Sequence, residues 1–291
     1  MTETPSALPV IQVLRSSTAY LSSVGVTSSR LEAELLVGHS LGLSRLDLYL
    51  QFERPLEESE LESVRVLLRR RARGCPVAYL TGEKEFFGLS FSVSGSVLVP
   101  RPETELLVEL ALEFASGGTL PLKVLDLGTG SGCIAVSLAS RAGNVIADAT
   151  DRYADAIEVA ARNVARHEVG GQVSLHQGDW VTPVSERGPY ALVLSNPPYL
   201  TTAEWQLLER SVRDFEPRSA LDGGSDGLSC YRDLIPAVSP VVAHGTKILL
   251  ECDPFRIHEV GRICRASWPD AALSTHSDLS GRDRVLEVTL R

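Results

Sequence analysis

An apolar run, Ala191-Leu192-Val193-Leu194-Ser195, ends in Asn196-Pro197-Pro198-Tyr199, four residues whose types and spacing can do chemistry. Proline lacks an N–H and has a fixed φ, and the residue ahead of it is pushed into extended geometry. The loop therefore presents carbonyl acceptors on a stiff backbone. Beside them the Asn196 side chain supplies an amide oxygen as a further acceptor, and Tyr199 supplies a flat face for a planar group. A nitrogen carrying two N–H groups matches such a pair of acceptors. Taken alone, Asn-Pro-Pro would read equally well as a turn closing a buried strand.

Upstream, Lys123-Val124-Leu125-Asp126-Leu127 reads as a buried strand running into Gly128-Thr129-Gly130-Ser131-Gly132 and a helix over 133–140. Glycines let backbone approach a ligand closely. They fall here as G-x-G-x-G, with Cys133 where a dinucleotide fingerprint would need its last glycine. A carboxylate at the loop entrance, Asp126, would repel a pyrophosphate but suit the ammonium of S-adenosylmethionine. A second strand over 144–150 ends in Asp151, placed to accept from both ribose hydroxyls, and a third over 173–177 ends in Gly178-Asp179-Trp180. Ligands of open α/β sheets bind at the carboxyl ends of strands. Three successive strand ends with polar or aromatic groups are hard to explain by packing alone.

This ordered set resembles the class I S-adenosylmethionine-dependent methyltransferases acting on amide or exocyclic amino nitrogens. Pro76-Val77-Ala78-Tyr79-Leu80-Thr81-Gly82, Glu85-Phe86-Phe87-Gly88, Val99-Pro100-Arg101-Pro102-Glu103-Thr104-Glu105 and, downstream, Phe215-Glu216-Pro217-Arg218-Ser219-Ala220-Leu221-Asp222-Gly223-Gly224 are similar to segments of the HemK/PrmC family. That family methylates the glutamine of the Gly-Gly-Gln motif in bacterial peptide-chain release factors. The resemblance covers almost the whole chain and is weakest over roughly the first seventy residues. It implies an α/β fold of the class I methyltransferase type, Rossmann-like, with a mostly parallel seven-stranded sheet, preceded by a small helical domain and a β-hairpin linker. It further implies cofactor contacts at Gly128, Thr129, Gly130, Ser131, Gly132, Asp151, Trp180 and Asn196. Substrate is expected at Asn196, Pro197, Pro198 and Tyr199, of which Asn196, Pro197 and Tyr199 take the catalytic roles.

Punctuation along the chain sets the expected organisation. Helices are expected over 10–24, 30–41, 45–51 and 57–73, making residues 1–74 a helical substrate-docking domain. Alternating Phe87, Leu89, Phe91 and Val93 suggest a hairpin within a linker over 75–100. Residues 101–291 form the catalytic domain: a helix over 103–114 stopped by Gly117-Gly118, then strand–helix alternation implying a parallel sheet. Its last strands, over 246–252 and 284–290, flank a helix over 254–268 and a variable stretch reaching Gly281.

Bulk properties exclude several classes. With 291 residues, 44% hydrophobic, the chain suits one α/β domain plus a smaller partner. No apolar run approaches the ~20 residues of a membrane span, and Met1-Thr2-Glu3-Thr4-Pro5 lacks the basic start of a signal peptide. Five scattered cysteines without C-x-x-C spacing point to a reduced, cytoplasmic chain with no zinc site, and the six histidines do not cluster. A net charge of −9 argues against life on a nucleic-acid backbone. Arg69-Arg70-Arg71-Ala72-Arg73 sits at a helix end, where the dipole favours cations; a solvated face is expected, with partner contact as the other reading. Arg101, Glu103 and Thr104 are open between capping the next helix and serving the site.

The chemistry expected of the loop is orientation. An amide lone pair is delocalised into its carbonyl, so two acceptors, the Asn196 side-chain oxygen and the Pro197 carbonyl, would take the two amide hydrogens and aim the nitrogen at a sulfonium methyl. Alignment of this kind contributes about 7–11 kcal/mol in favourable cases. No general base is nominated, because the methylated amide nitrogen loses its proton readily. The partner is expected to be a release factor, met by a monomer without membrane or nucleic acid. Three alternatives stay open: a glutamine methyltransferase of a ribosomal protein, an adenine-N6 nucleic-acid methyltransferase using a similar loop on a flipped base, and a non-catalytic binding module.

Overall fold

The computed structural model describes residues 8–117 and 121–291, which leaves the Met1–Pro5 segment and the Gly118 part of the helix stop outside the description. The chain divides into two compact units. One comprises the residues up to Gly82 together with Arg210–Phe215; the other comprises Glu83–Glu209 and Glu216–Arg291.

The first unit is helical: α1 (Val10–Ser23), α2 (Ser29–Leu41), α3 (Arg45–Leu50), α4 (Glu58–Ala72) and α5 (Val77–Thr81). In α1 the buried positions Val10, Val13, Leu14, Ser17 and Leu21 recur every three or four residues, the spacing that puts one apolar stripe on a helix. Val10, Val13, Leu14 and Leu21 pack with Leu36, Val37, Leu48, Val64 and Leu68 in a core that Phe215 also joins. Helix α2 stops at Gly42 as the punctuation suggested, and α4 ends one residue before Arg73. Two arginines of the basic run are engaged locally, Arg71 with Glu32 and Arg69 with Glu62. Helix α5 falls in the segment expected to be linker and hairpin. Its signals are Pro76 ahead of the first turn and Gly82 in the left-handed region behind the last, the proline-first, glycine-last asymmetry of a short helix.

In the second unit a hairpin, β1 (Glu83–Phe86) and β2 (Leu89–Ser92), turns on Phe87-Gly88. Both turn residues have positive φ, +51° and +72°, the mirror-image turn that matches the twist of paired strands. Phe87 therefore belongs to the turn, and Phe86 and Phe91 carry the buried face. Helix α6 (Glu105–Ser116) follows a single 3₁₀ turn, Pro102–Thr104. Then come β3 (Leu122–Leu127), α7 (Cys133–Arg141), β4 (Val145–Asp151), α8 (Ala154–Arg166), β5 (Val173–Gln177), β6 (Tyr190–Ser195), α9 (Thr202–Leu207), α10 (Arg210–Arg213, in the first unit), α11 (Ser229–Val238), β7 (Val242–Glu251), α12 (Ile257–Ser267), β8 (Ala272–Ser277) and β9 (Asp283–Thr289).

These strands build one seven-stranded sheet in the order β5-β4-β3-β6-β7-β9-β8, in which β9 alone runs against the rest. The expected mostly parallel α/β sheet is thus present. Strand β8, inside the stretch read as variable, is a half-exposed edge strand whose alternation is too weak to announce it. From β3 the chain adds β4 and β5 on one side, then returns to add β6 and β7 on the other. The order reverses between β3 and β6, where a crevice must open at the strand ends. There Leu127 pairs with Ser195, and the Ser195 hydroxyl donates to the Leu127 carbonyl at 2.8 Å. The next residues in each strand are Gly128 and Asn196.

Leu36→Ala, at a fully buried position of the helical core, should lower unfolding stability by about 2–5 kcal/mol in urea titrations. The sheet unit does not use this core, so cofactor-product affinity measured below the transition should stay at the parental value.

Candidate active site

The carboxyl ends of β3, β4, β5 and β6 open on one cleft, lined among others by Gly128–Ser131, Ile134, Asp151, Tyr153, Trp180 and Asn196–Pro198. Its far wall comes from the segment ahead of α6, including Arg101 and Thr104. All of these residues belong to the sheet unit.

The glycine loop is held from below by backbone: Gly128 and Thr129 N–H groups both donate to the Thr150 carbonyl at 2.9 Å. Gly130 N–H donates to Asp151 Oδ2 at 2.9 Å, and Tyr153 N–H to Oδ1 at 3.0 Å. The Asp151 carboxylate is therefore fixed in direction while each oxygen keeps a lone pair for the cleft. Burial is the largest influence on its pKa and raises it, against the pull of the Tyr153, Gly130 and Arg152 N–H groups. Gly132 does not reach the cleft. A Cβ there would sit 3.3 Å from the Ala160 methyl, at φ +78°, so this glycine serves the close packing of α7 on α8. Asn163, which the sequence reading passed over, ties the loop down: its Nδ2 donates to the Ser131 and Ser92 carbonyls, and its Oδ1 accepts from Ser92 N–H.

Asp126 lies behind the loop, fully buried, and accepts from the Thr129 hydroxyl at 2.7 Å. Burial pushes its carboxyl up to about 6. It acts on the cleft through Thr129 and by its charge, without facing a ligand directly. Trp180 lines the cleft with its backbone at φ +44°, a costly conformation for a bulky residue. Cys133 also lines it, but burial pushes the thiol up to about 12, so it is no nucleophile.

On the β6 side the Asn196 Nδ2 donates to Thr104 Oγ1 at 2.9 Å, and the Thr104 hydroxyl donates to Glu251 Oε2 at 2.7 Å. Glu251, at the carboxyl end of β7, is 1% exposed. Burial pushes it up to about 7, with Thr104, Arg284 and Tyr199 pulling the other way. No donor among the described residues reaches Asn196 Oδ1 or the Pro197 carbonyl. Tyr199 is placed differently from Asn196, Pro197 and Pro198: it packs on the core under β6 and β7 and donates to Glu251 Oε1 at 3.3 Å. Its contribution is to the loop's footing.

The three residues left open ahead of α6 now separate. Thr104 is buried beneath Asn196, Glu103 is exposed, and Arg101 lines the cleft while donating to Glu216 Oε1 at 2.5 Å. Glu216 is itself buried and takes the Val99 N–H on its other oxygen at 3.0 Å. Neither Glu216 nor Glu251 was singled out from sequence; the available signal was a carboxylate ending an apolar strand, Ile248-Leu249-Leu250-Glu251. The loop's exit is clamped by Leu200 N–H to the Leu221 carbonyl and Gly223 N–H to the Leu200 carbonyl. A Cβ on Gly223 would meet the Pro198 carbonyl oxygen at 2.6 Å.

Comparison with known proteins agrees with this geometry. Residues 12–82 match the PrmC N-terminal domain and residues 103–218 the methyltransferase small domain. A release factor glutamine methyltransferase of Geobacter sulfurreducens is 40% identical over 98% of both chains. One from Nitratidesulfovibrio vulgaris is 42% identical over 94% of this chain and 92% of its own. The chain belongs to the release factor glutamine methyltransferase family. Among solved structures, the hMettl16 catalytic domain, crystallised with an RNA hairpin, shares the fold with a TM-score of 0.57 at 16% identity, covering 77% of this chain and 82% of that one. As a family member the chain is an enzyme of the methyltransferase class. Among the described residues there is no candidate metal cluster and no helix long and apolar enough to cross a membrane.

The Gly223 contact gives a direct test. Gly223→Ala forces its methyl against backbone, which a side-chain rotation cannot relieve. It should lower stability by about 1–3 kcal/mol, read as a lower melting temperature, and reduce methyl transfer by displacing Pro198.

Proposed function

We propose that this chain transfers a methyl group from S-adenosylmethionine to the side-chain amide nitrogen of the glutamine in the Gly-Gly-Gln motif of bacterial release factors. The observation that carries the reading is the pair of uncommitted acceptors, Asn196 Oδ1 and the Pro197 carbonyl, at the sheet's reversal point beside the glycine loop. Relatives bearing the name release factor glutamine methyltransferase along nearly the full length support the substrate. A monomer in the cytoplasm is the proposed working form, with the helical unit as the docking element for the release factor.

The cleft fits the cofactor. Asp151 offers a fixed lone pair on each oxygen for ribose hydroxyls, Ile134 and Tyr153 offer apolar walls, and the Gly128–Ser131 backbone offers a close approach. When bound, S-adenosylmethionine supplies a methyl on a sulfonium, an electrophile needing no further activation. The protein's task is then to present the nitrogen. Asn196 Oδ1 and the Pro197 carbonyl each accept one amide N–H, which localises the lone pair and points it across the cleft. Pro197 and Pro198 hold those acceptors with little backbone freedom to lose. A glutamate in the same place would set carboxylate oxygens against carbonyl oxygens, and buried acceptors without donors are strongly disfavoured. The proton leaves after transfer, because the methylated amide nitrogen is acidic enough to lose it to water.

Two substitutions divide cofactor from substrate. Asp151→Ala should weaken binding of S-adenosylmethionine by about ten- to a hundred-fold, the worth of charge-assisted hydrogen bonds of about 1.5–3 kcal/mol; calorimetry showing parental affinity would remove Asp151 from the site. Asn196→Ala should keep the fold yet, with cofactor saturating, lower transfer to a release factor by at least about a hundred-fold. Transfer of tritiated methyl at the parental rate by that variant, with cofactor saturating, would make the loop a turn and nothing more. The same assay offered ribosomal protein and duplex DNA should show no label on either.

A further inference from the structure

The acceptor role of Asn196 requires its amide to face the cleft oxygen first, and nothing in an asparagine's shape ensures that. Oxygen and NH₂ ends are nearly equal in size, so orientation is set by hydrogen-bond partners. Beneath Asn196 those partners form a single file: Nδ2 to Thr104 Oγ1 at 2.9 Å, then Thr104 Oγ1 to Glu251 Oε2 at 2.7 Å. A hydroxyl has one proton. When that proton is given to Glu251, the Thr104 oxygen can only accept from Asn196, and the NH₂ end must point down.

We propose that Glu251 and Thr104 are positioning residues that set the polarity of the Asn196 amide, so that its oxygen faces the substrate. This rests on the reading of Asn196 as an acceptor for the glutamine N–H. The far end of the file is a group held firmly in place. Glu251 is buried with Tyr199 donating to its other oxygen at 3.3 Å and the Tyr231 hydroxyl donating to its main-chain carbonyl at 2.6 Å. Arg284 adds positive potential from β9, while Glu103 opposes it. A glutamine at 251 keeps the shape but can turn an NH₂ toward Thr104. The hydroxyl would then donate to Asn196 Oδ1, and the NH₂ end of Asn196 would face the cleft, where it suits a carboxylate instead of an amide nitrogen.

Three variants test this in the full-length enzyme: Thr104→Val, which removes the hydroxyl at similar volume, Thr104→Ser, which restores it, and Glu251→Gln. Each is assayed for kcat and KM on an intact release factor, for affinity toward S-adenosylhomocysteine, and for binding of release factor carrying Gly-Gly-Gln or Gly-Gly-Glu. Thr104→Val and Glu251→Gln should lose at least about thirty-fold in kcat with KM and cofactor-product affinity within about three-fold of the parent, and Thr104→Ser should recover to within about three-fold. Glu251→Gln should also shift the binding ratio toward Gly-Gly-Glu, a change that loosened packing would not produce. Parental kcat in Thr104→Val, a loss confined to KM or cofactor affinity, or a Thr104→Ser variant no better than Thr104→Val would each overturn the proposal. If Glu251→Gln does not fold, the Thr104 pair decides alone. A parental enzyme that puts no label on release factor would instead sink the functional reading.

Discussion

In the proposed mechanism, an amide that must show one particular end to its substrate is the constraint on which the rest of this site depends. Asn196 is presented by a loop with two prolines, so its backbone is stiff, but stiffness does not orient a side-chain amide. In the proposed arrangement the orientation comes from a buried carboxylate two hydrogen bonds away, Glu251 through Thr104. Burying a carboxylate is costly, and burial alone would favour its neutral form. Thr104, Arg284 and Tyr199 pull toward the charged form, but burial outweighs them and leaves the carboxyl raised to about 7. A single polar network thereby connects β6, β7 and the turn ahead of α6, three elements far apart in sequence.

Sheet topology makes this network possible. Only at the reversal of strand order do the ends of β3 and β6 lie side by side with opposite connections, and the Ser195 hydroxyl pins them together. In the proposed mechanism one end carries the backbone that receives the cofactor, and the other carries the acceptors that receive the nitrogen. Gly223 lets a returning segment press on the Pro198 carbonyl, and Asn163 fastens the glycine loop to the hairpin strand. Cofactor side and substrate side are separately braced, which is what an in-line transfer between two bound groups demands.

Much of this was legible in the sequence because its signals are local. Runs ending in a glycine loop, Asp151, Gly178 or Asn-Pro-Pro marked β3 to β6 and their loops, and helix punctuation marked α1 to α4 to within a residue or two. Helix α5 was absorbed into an expected linker because five residues hold too little periodicity, and β8 was missed because an edge strand buries little. Within the site, residue types named the cleft lining but could not reveal direction. Gly132 and Tyr199 belong to the same motifs as their neighbours yet point into packing. Thr104 and Glu251 are separated by 147 positions, and only the fold brings the hydroxyl to the carboxylate.

Hydrogen positions decide the central claim, so the most direct measurement is neutron diffraction from a deuterated ternary complex with S-adenosylhomocysteine and a release factor. The account predicts deuterium on Thr104 Oγ1 directed at Glu251, both Asn196 amide deuterons on the Thr104 side, and the substrate glutamine nitrogen about 3 Å from both Asn196 Oδ1 and the Pro197 carbonyl. Density placing the Asn196 ND₂ against the substrate, or the glutamine nitrogen out of reach of both acceptors, would contradict it.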